Sequence, residues 1–132
     1  GEEQITFAHG VFREWLQIRT GSPLFRLRTA EDIQERVRFF NTGIGQTPGS
    51  IVMMLDDTIG TDIDPEYGLI MVIFNATPDE QTVTIQELGG YRWELHPVLM
   101  ESVDPTVREA SADSGMFTVP ARTTSVFVVG QR

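Results

Sequence analysis

From Ser50 onward the chain is a succession of short apolar segments divided by turn signals, with no helical period between them. Few folds accept that pattern. Ser50–Leu55 and Leu69–Phe74 are continuous runs rich in Ile, Val and Met, and such runs read as strands covered on both faces. Gln81–Gln86 alternates with Val83 and Ile85 inward, and Tyr91–His96 alternates with Tyr91, Trp93 and Leu95 on one face. Met116–Val119 and Thr123–Val129 complete the set. Pro78-Asp79, Gly89-Gly90, Ser114-Gly115 and Pro120-Ala121 supply turns, and Asp56–Gly68 and Glu101–Ser114 are longer polar connections. Parallel strands need long crossovers, usually helical. Their absence predicts an antiparallel β-sandwich of about six to eight strands.

Two α-helices are expected before the sandwich. At 100° per residue, Ile5, Phe7, Ala8, Val11, Phe12, Trp15, Leu16 and Ile18 fill one side of a helix over Ile5–Arg19. This arc covers roughly half the circumference, wider than the ~100° stripe of an ordinary surface helix. One margin should pack on the domain, and the other should need a partner or self-association to cover it. Gly21-Ser22-Pro23 ends the helix. Thr29 reads as the N-cap of the second, with Asp32 at the capping-box position and Ile33, Val37 and Phe40 as its buried stripe, stopped by Asn41-Thr42-Gly43. The expected organisation is a terminal helix over residues 1–22 and a mainly β sandwich over 23–132 that includes a short helix near 30–40.

Charge narrows the function classes. Nineteen acids face ten arginines with no lysine, a formal charge of −9, whereas nucleic-acid binding needs a basic footprint. The same charge argues against an anionic membrane surface, and the longest apolar run, Leu69–Phe74, is far short of the roughly 20 residues of a membrane helix. No basic start followed by an apolar stretch opens the chain, so no targeting signature is read there. With no cysteine, thiol catalysis and thiolate metal sites are excluded. Neutral substrates such as sugars stay compatible.

The chemistry-bearing motifs are mostly incomplete. Gly43-Ile44-Gly45 lacks the third glycine of a dinucleotide loop and follows a helix instead of opening one. No Gly-x-Ser-x-Gly elbow is present. His9 is placed on a polar helix face and His96 on an exposed strand face, each without a second ligand at metal spacing. Asp56, Asp57, Asp62, Asp64 and Glu66 crowd one loop and offer hard oxygen donors, yet their spacing is not that of an EF-hand. The loop reads either as a calcium site or as a solvated acidic connection, the latter favoured. Tyr91 and Trp93, two apart on one strand, read either as a sugar-stacking strip or as core. Glu31 and Glu35 fit a solvated helix face, and Asn75-Ala76-Thr77 fits a turn better than a glycosylation site. No catalytic constellation assembles from these residues.

Several segments nevertheless resemble a known family, in its order and spacing: Ser22-Pro23-Leu24-Phe25-Arg26-Leu27, Arg36-Val37-Arg38-Phe39-Phe40-Asn41-Thr42-Gly43, Gly49-Ser50-Ile51-Val52-Met53-Met54-Leu55-Asp56-Asp57, Ile73-Phe74-Asn75-Ala76-Thr77-Pro78, and Pro120-Ala121-Arg122-Thr123-Thr124-Ser125-Val126-Phe127-Val128. Together they are similar to the C-terminal domain of pullulanase-type α-1,6-glucosidases of the α-amylase clan. The resemblance implies a parent enzyme that hydrolyses α-1,6 branch bonds of pullulan, starch or glycogen dextrins with retention. Its two carboxylates would sit on a TIM-type barrel. The clan's Asn-His and His-Asp pairs do not occur in this chain, so no catalytic role is carried over to any residue. What it implies here is a non-catalytic sandwich that packs on the barrel, with residues 1–22 as a helix belonging to or lying against that barrel. The alternative is an accessory module that contacts α-glucan through Tyr91 and Trp93. No cofactor is implied, with calcium at the acidic loop as the exception to test. The family's compartment would be extracellular or cell-surface in bacteria and plastidial in plants.

Overall fold

The middle of the molecule is β3 (Tyr67–Asn75), buried at eight of its nine positions, as its unbroken apolar run requires. The computed structural model describes residues 1–131. Along the chain come α1 (Glu2–Thr20), a 3-10 turn (Pro23–Arg26), α2 (Ala30–Arg36), β1 (Val37–Phe40), β2 (Ser50–Asp56), β3, β4 (Gln81–Thr84), a 3-10 turn (Gln86–Leu88), β5 (Glu94–Leu95), α3 (Pro97–Met100), a 3-10 turn (Val107–Glu109), β6 (Ser111–Asp113), β7 (Met116–Val119) and β8 (Thr123–Gly130). Among the described residues eight strands form two antiparallel sheets, one ordered β1-β2-β3-β8-β5 and the other β4-β7-β6. This is the expected sandwich.

Register decides which residues share a face. Met54, Met71 and Phe127 lie opposite one another across β2, β3 and β8, and Phe127 meets Phe117 of the second sheet edge-on at 5.2 Å. That is the inter-sheet core. One residue along, Met53, Val72 and Val126 line the opposite face, where Trp15 and Ile18 of α1 and Phe25 of the first 3-10 turn gather over them. Helix α1 rests on the sheet through this inward margin. It is also tied down by Glu14, which accepts from Ser102 Oγ and the Val103 amide. The outward margin is bare, with Phe12 62 % exposed and Ile5, Phe7 and Leu16 open as well. The wide apolar arc therefore splits as its breadth predicts.

Four local expectations are corrected. Thr29 caps α2, its Oγ1 accepting from the Asp32 amide, but the helix ends at Arg36, and Val37–Phe40 is a strand paired with Leu55–Val52. A β-branched residue followed by aromatics at 39 and 40 favours a pleated, sheet-packed segment, and Ile33, the first of the supposed stripe, lies exposed. Within Tyr91–His96 only Glu94–Leu95 pairs, with β8. The 101–114 connection carries a 3-10 turn and β6. Phe74, inside the longest apolar run, is 40 % exposed, as is much of Ile51 beside it. At the β6–β7 turn Ser114 and Gly115 take φ of 50° and 82°, the left-handed pair of a tight hairpin. A Cβ on Gly115 would lie 2.6 Å from the Ile85 carbonyl oxygen, so the position demands glycine.

Candidate functional site

The acidic loop between β2 and β3 is solvated at Asp62 and Glu66 but buries Asp56, Asp57 and Asp64. Asp57 is fully buried, paired with the Arg36 guanidinium. Its carboxylate also accepts from the amides of Ile63 and Asp64 and from Gln131 Nε2. Asp64, also buried, accepts from Ser22 Oγ and from the amides of Glu66 and Tyr67. Asp56 caps its own turn through the Thr58 amide and hydroxyl. These oxygens are engaged by chain donors, and a cation would have to displace them. No cluster of three or more His, Asp or Glu fit to hold a metal occurs among the described residues. Millimolar calcium is accordingly expected to leave the melting temperature unchanged. A site filled at 100 times its Kd would add about 2.7 kcal/mol and raise the midpoint by several degrees, which thermal unfolding with and without calcium would detect.

His96 is buried instead of exposed, because it caps α3: its Nδ1 accepts from the Val98 amide, while the ring lies 5.7 Å from Tyr67. Burial pushes its pKa down from 6.5 to about 4. The unfolded chain then binds more protons than the folded one between those values, so stability rises with pH through that window and is complete above pH 6.5. Protonation of Nδ1 would also remove the cap. The wild type should lose about 2 kcal/mol from this group between pH 7 and pH 4. His96→Asn keeps a capping side chain but should lack that component, and urea titrations of both proteins at each pH would compare them. Equal slopes would show that His96 titrates normally.

Tyr91 and Trp93 do come together, with ring centroids 6.4 Å apart at 71°, but not as a flat strip. Trp93 is 7 % exposed, donates Nε1–H to the Leu88 carbonyl and abuts Phe117 at 5.2 Å. Its faces are spent on the core, and Tyr91 packs half-buried at the margin. Asn75 is buried too, donating to the carbonyls of Asp79, Val119 and Pro120. This closes the β3–β4 turn and leaves no free amide for glycosylation. His9 lies exposed on α1.

The feature that motif reading missed is the face beneath α1. Between the helix and the sheet runs an apolar groove of about 380 Å³, walled by Trp15, Phe25, Met53, Val72 and Phe74. The signal for it lay in β2 and β3, whose residues on the α1 side, Ile51, Met53, Val72 and Phe74, are all apolar, while α1 and Phe25 cover only some of them. The arrangement presents hydrophobic area and shape. Among the described residues its polar lining is Arg19 and Thr124, and no cluster fit to hold a metal occurs.

Residues 1–129 match the family described as alpha-1,6-glucosidases, pullulanase-type, C-terminal. Over 124 residues the chain is 52 % identical to pullulanase 1, chloroplastic, of Arabidopsis thaliana, covering 89 % of this chain and 13 % of that protein. It is 28 % identical over 135 residues to the pullulanase of Klebsiella pneumoniae, covering 99 % of this chain and 12 % of that one. Among solved structures it superposes on the maltotriose complex of PulA from Klebsiella pneumoniae with a TM-score of 0.88 at 29 % identity, over all of this chain and 14 % of that one. The chain thus spans about an eighth of the length of these curated relatives.

Proposed function

Because the chain belongs to the C-terminal domain family of pullulanase-type α-1,6-glucosidases, we propose that it is the non-catalytic sandwich of a starch- or pullulan-debranching enzyme, which packs on and stabilises the catalytic part. In that enzyme the α-1,6 bond would be cleaved with retention by two carboxylates about 5–5.5 Å apart, carried by a barrel outside these residues. The observation that supports the reading is the apolar area left uncovered: the outer margin of α1 and the groove beside it. Contiguous exposed apolar surface of this kind marks an interaction site on a folded protein. The reading includes no cofactor. The burial of Trp93 weighs against the alternative in which Tyr91 and Trp93 stack on α-glucan. The test compares the parent enzyme with a version cut before Gly1. The cut version is expected to unfold at lower temperature, while these 132 residues alone release no reducing ends from pullulan. Turnover by the isolated chain, or equal unfolding of the two versions, would overturn the proposal.

A further inference from the structure

The joint between α1 and the α3–β6 connection holds a seam of different chemistry from the groove. A concavity of about 430 Å³ lies between residues 10–17 of α1 and residues 97–103. A second, of about 180 Å³, runs on from Trp15 to Ser102, Asp104, Arg122 and Thr124 over buried Leu99 and Val107. Glu14 lines both, its carboxylate accepting from Ser102 Oγ at 2.6 Å and the Val103 amide at 2.8 Å. Gly10 sets how close the walls stand. A helix-interior glycine is unfavourable, but a Cβ here would lie 3.1 Å from Val103 Cγ2, so a larger residue would press on the connection.

The side chains that remain along the seam carry both signs. Arg13 and Arg122 stand with Glu101 and Asp104, and Gln17 and Thr124 add neutral polar groups. None of these four charges is ion-paired among the described residues, and Asp104 commits one oxygen to the Thr106 amide. Two guanidinium groups against two carboxylates leave no net charge to draw an ion, although the chain as a whole carries −9. No cluster fit to hold a metal occurs among the described residues either. Carboxylates accept only, guanidinium groups donate only, and a hydroxyl does both. A mixed row of this kind therefore suits a neutral molecule dense in hydroxyls, and the Trp15 indole gives its apolar ring face a wall to pack on.

We propose that this seam binds a short, neutral α-glucan, with successive sugar units in the two concavities on either side of Glu14. The choice of α-glucan rests on the functional reading above; the site itself rests on the seam's own groups. It differs from the apolar groove, whose lining has no acid, and from Tyr91 and Trp93, which pack at the core. A second hold on the polymer would raise the local concentration of branch points at a catalytic centre elsewhere in the parent chain.

NMR amide titration of these 132 residues with maltotriose tests the site. The chain has a hydrophobic core of its own and, in the functional reading above, none of the parent's active site, so no second sugar site competes. The Gly10 amide and the Trp15 indole N–H are expected to shift saturably, while the Gly60 and Gly115 amides, outside the seam, stay in place. Arg13→Ala and Thr124→Val should each weaken maltotriose binding about fivefold, the worth of one lost hydrogen bond. Arg28→Ala, a charge-matched change outside the seam, should leave it unchanged. Arg13 is exposed and valine keeps the branched shape that suits a strand, so both seam variants keep the fold, which their amide spectra verify. The absence of a saturable shift at Gly10 and Trp15, or wild-type affinity in both seam variants, would overturn the site. That failure, with the cut before Gly1 still destabilising the parent, removes the seam site and leaves the functional reading standing. Saturable binding with equal unfolding of the two parent versions does the reverse.

Discussion

Asp57→Ala should lower the unfolding free energy by about 3–5 kcal/mol, the cost of leaving a buried charge without its partner. Arg36 is nearly sequestered from solvent. Without Asp57 it would keep only the Thr61 carbonyl and a 3.6 Å approach of Nε to Asp32, longer than a hydrogen bond. The amides of Ile63 and Asp64 and the Gln131 side chain would lose acceptors at the same time. Against a typical total of about 5–15 kcal/mol, this is enough to leave a large unfolded fraction at moderate temperature. Arg36→Met should be costly as well, because Asp57 would then be an unpaired buried anion. The double change Arg36→Met with Asp57→Leu should cost less than the sum of the singles, since neither charge remains to be stranded. Urea unfolding of the four proteins closes the cycle. Additive losses would show that the two residues act separately.

Phe117→Ala should cost about 3–5 kcal/mol through lost transfer energy and the cavity left behind. Phe117 is fully buried on the middle strand of the smaller sheet, edge-on to both Trp93 and Phe127, so neighbours on two sides would face the void. Phe74→Ala serves as the contrast. A ring 40 % open to solvent forfeits little transfer energy, and a loss below about 1.5 kcal/mol is expected. Midpoints from urea titrations with unchanged m-values separate the two. A similar loss for both would mean that the inter-sheet layer is less tightly packed than its geometry indicates.

These residues also show where sequence reading succeeds and stops. β2, β3, β7 and β8 are legible because each is a run of β-branched and apolar residues bounded by turn chemistry, and the solution is local. Val37–Phe40 misleads because Ile33, Val37 and Phe40 satisfy helical spacing, while the same four residues also make a strand once β2 is there to pair with. The buried acids were beyond local reading. Asp57 finds Arg36 at 21 residues' remove and Gln131 at 74, and Asp64 finds Ser22 at 42, so nothing in the spacing of the loop distinguishes a knot from a solvated tract. The face around Phe74 was missed for the opposite reason: an apolar run looks the same whether its cover comes from within the chain or from outside it.

The position of β8 carries a consequence for how the chain comes into being. It is the last strand in sequence, yet it lies inside the larger sheet, hydrogen-bonded to β3 on one side and β5 on the other. During synthesis the strands before it emerge first, but the sheet has a gap where Thr123–Gly130 must enter. Until β8 enters, Met71 and Ile73 have their β2 partners Met54 and Val52 but lack Phe127 and Ser125. Completion of the sheet depends on pairings of high sequence separation and is correspondingly slow. A chain stalled before Thr123 would present an unpaired β3 edge and would leave β5 without its neighbour, since β8 is the interior strand that joins them.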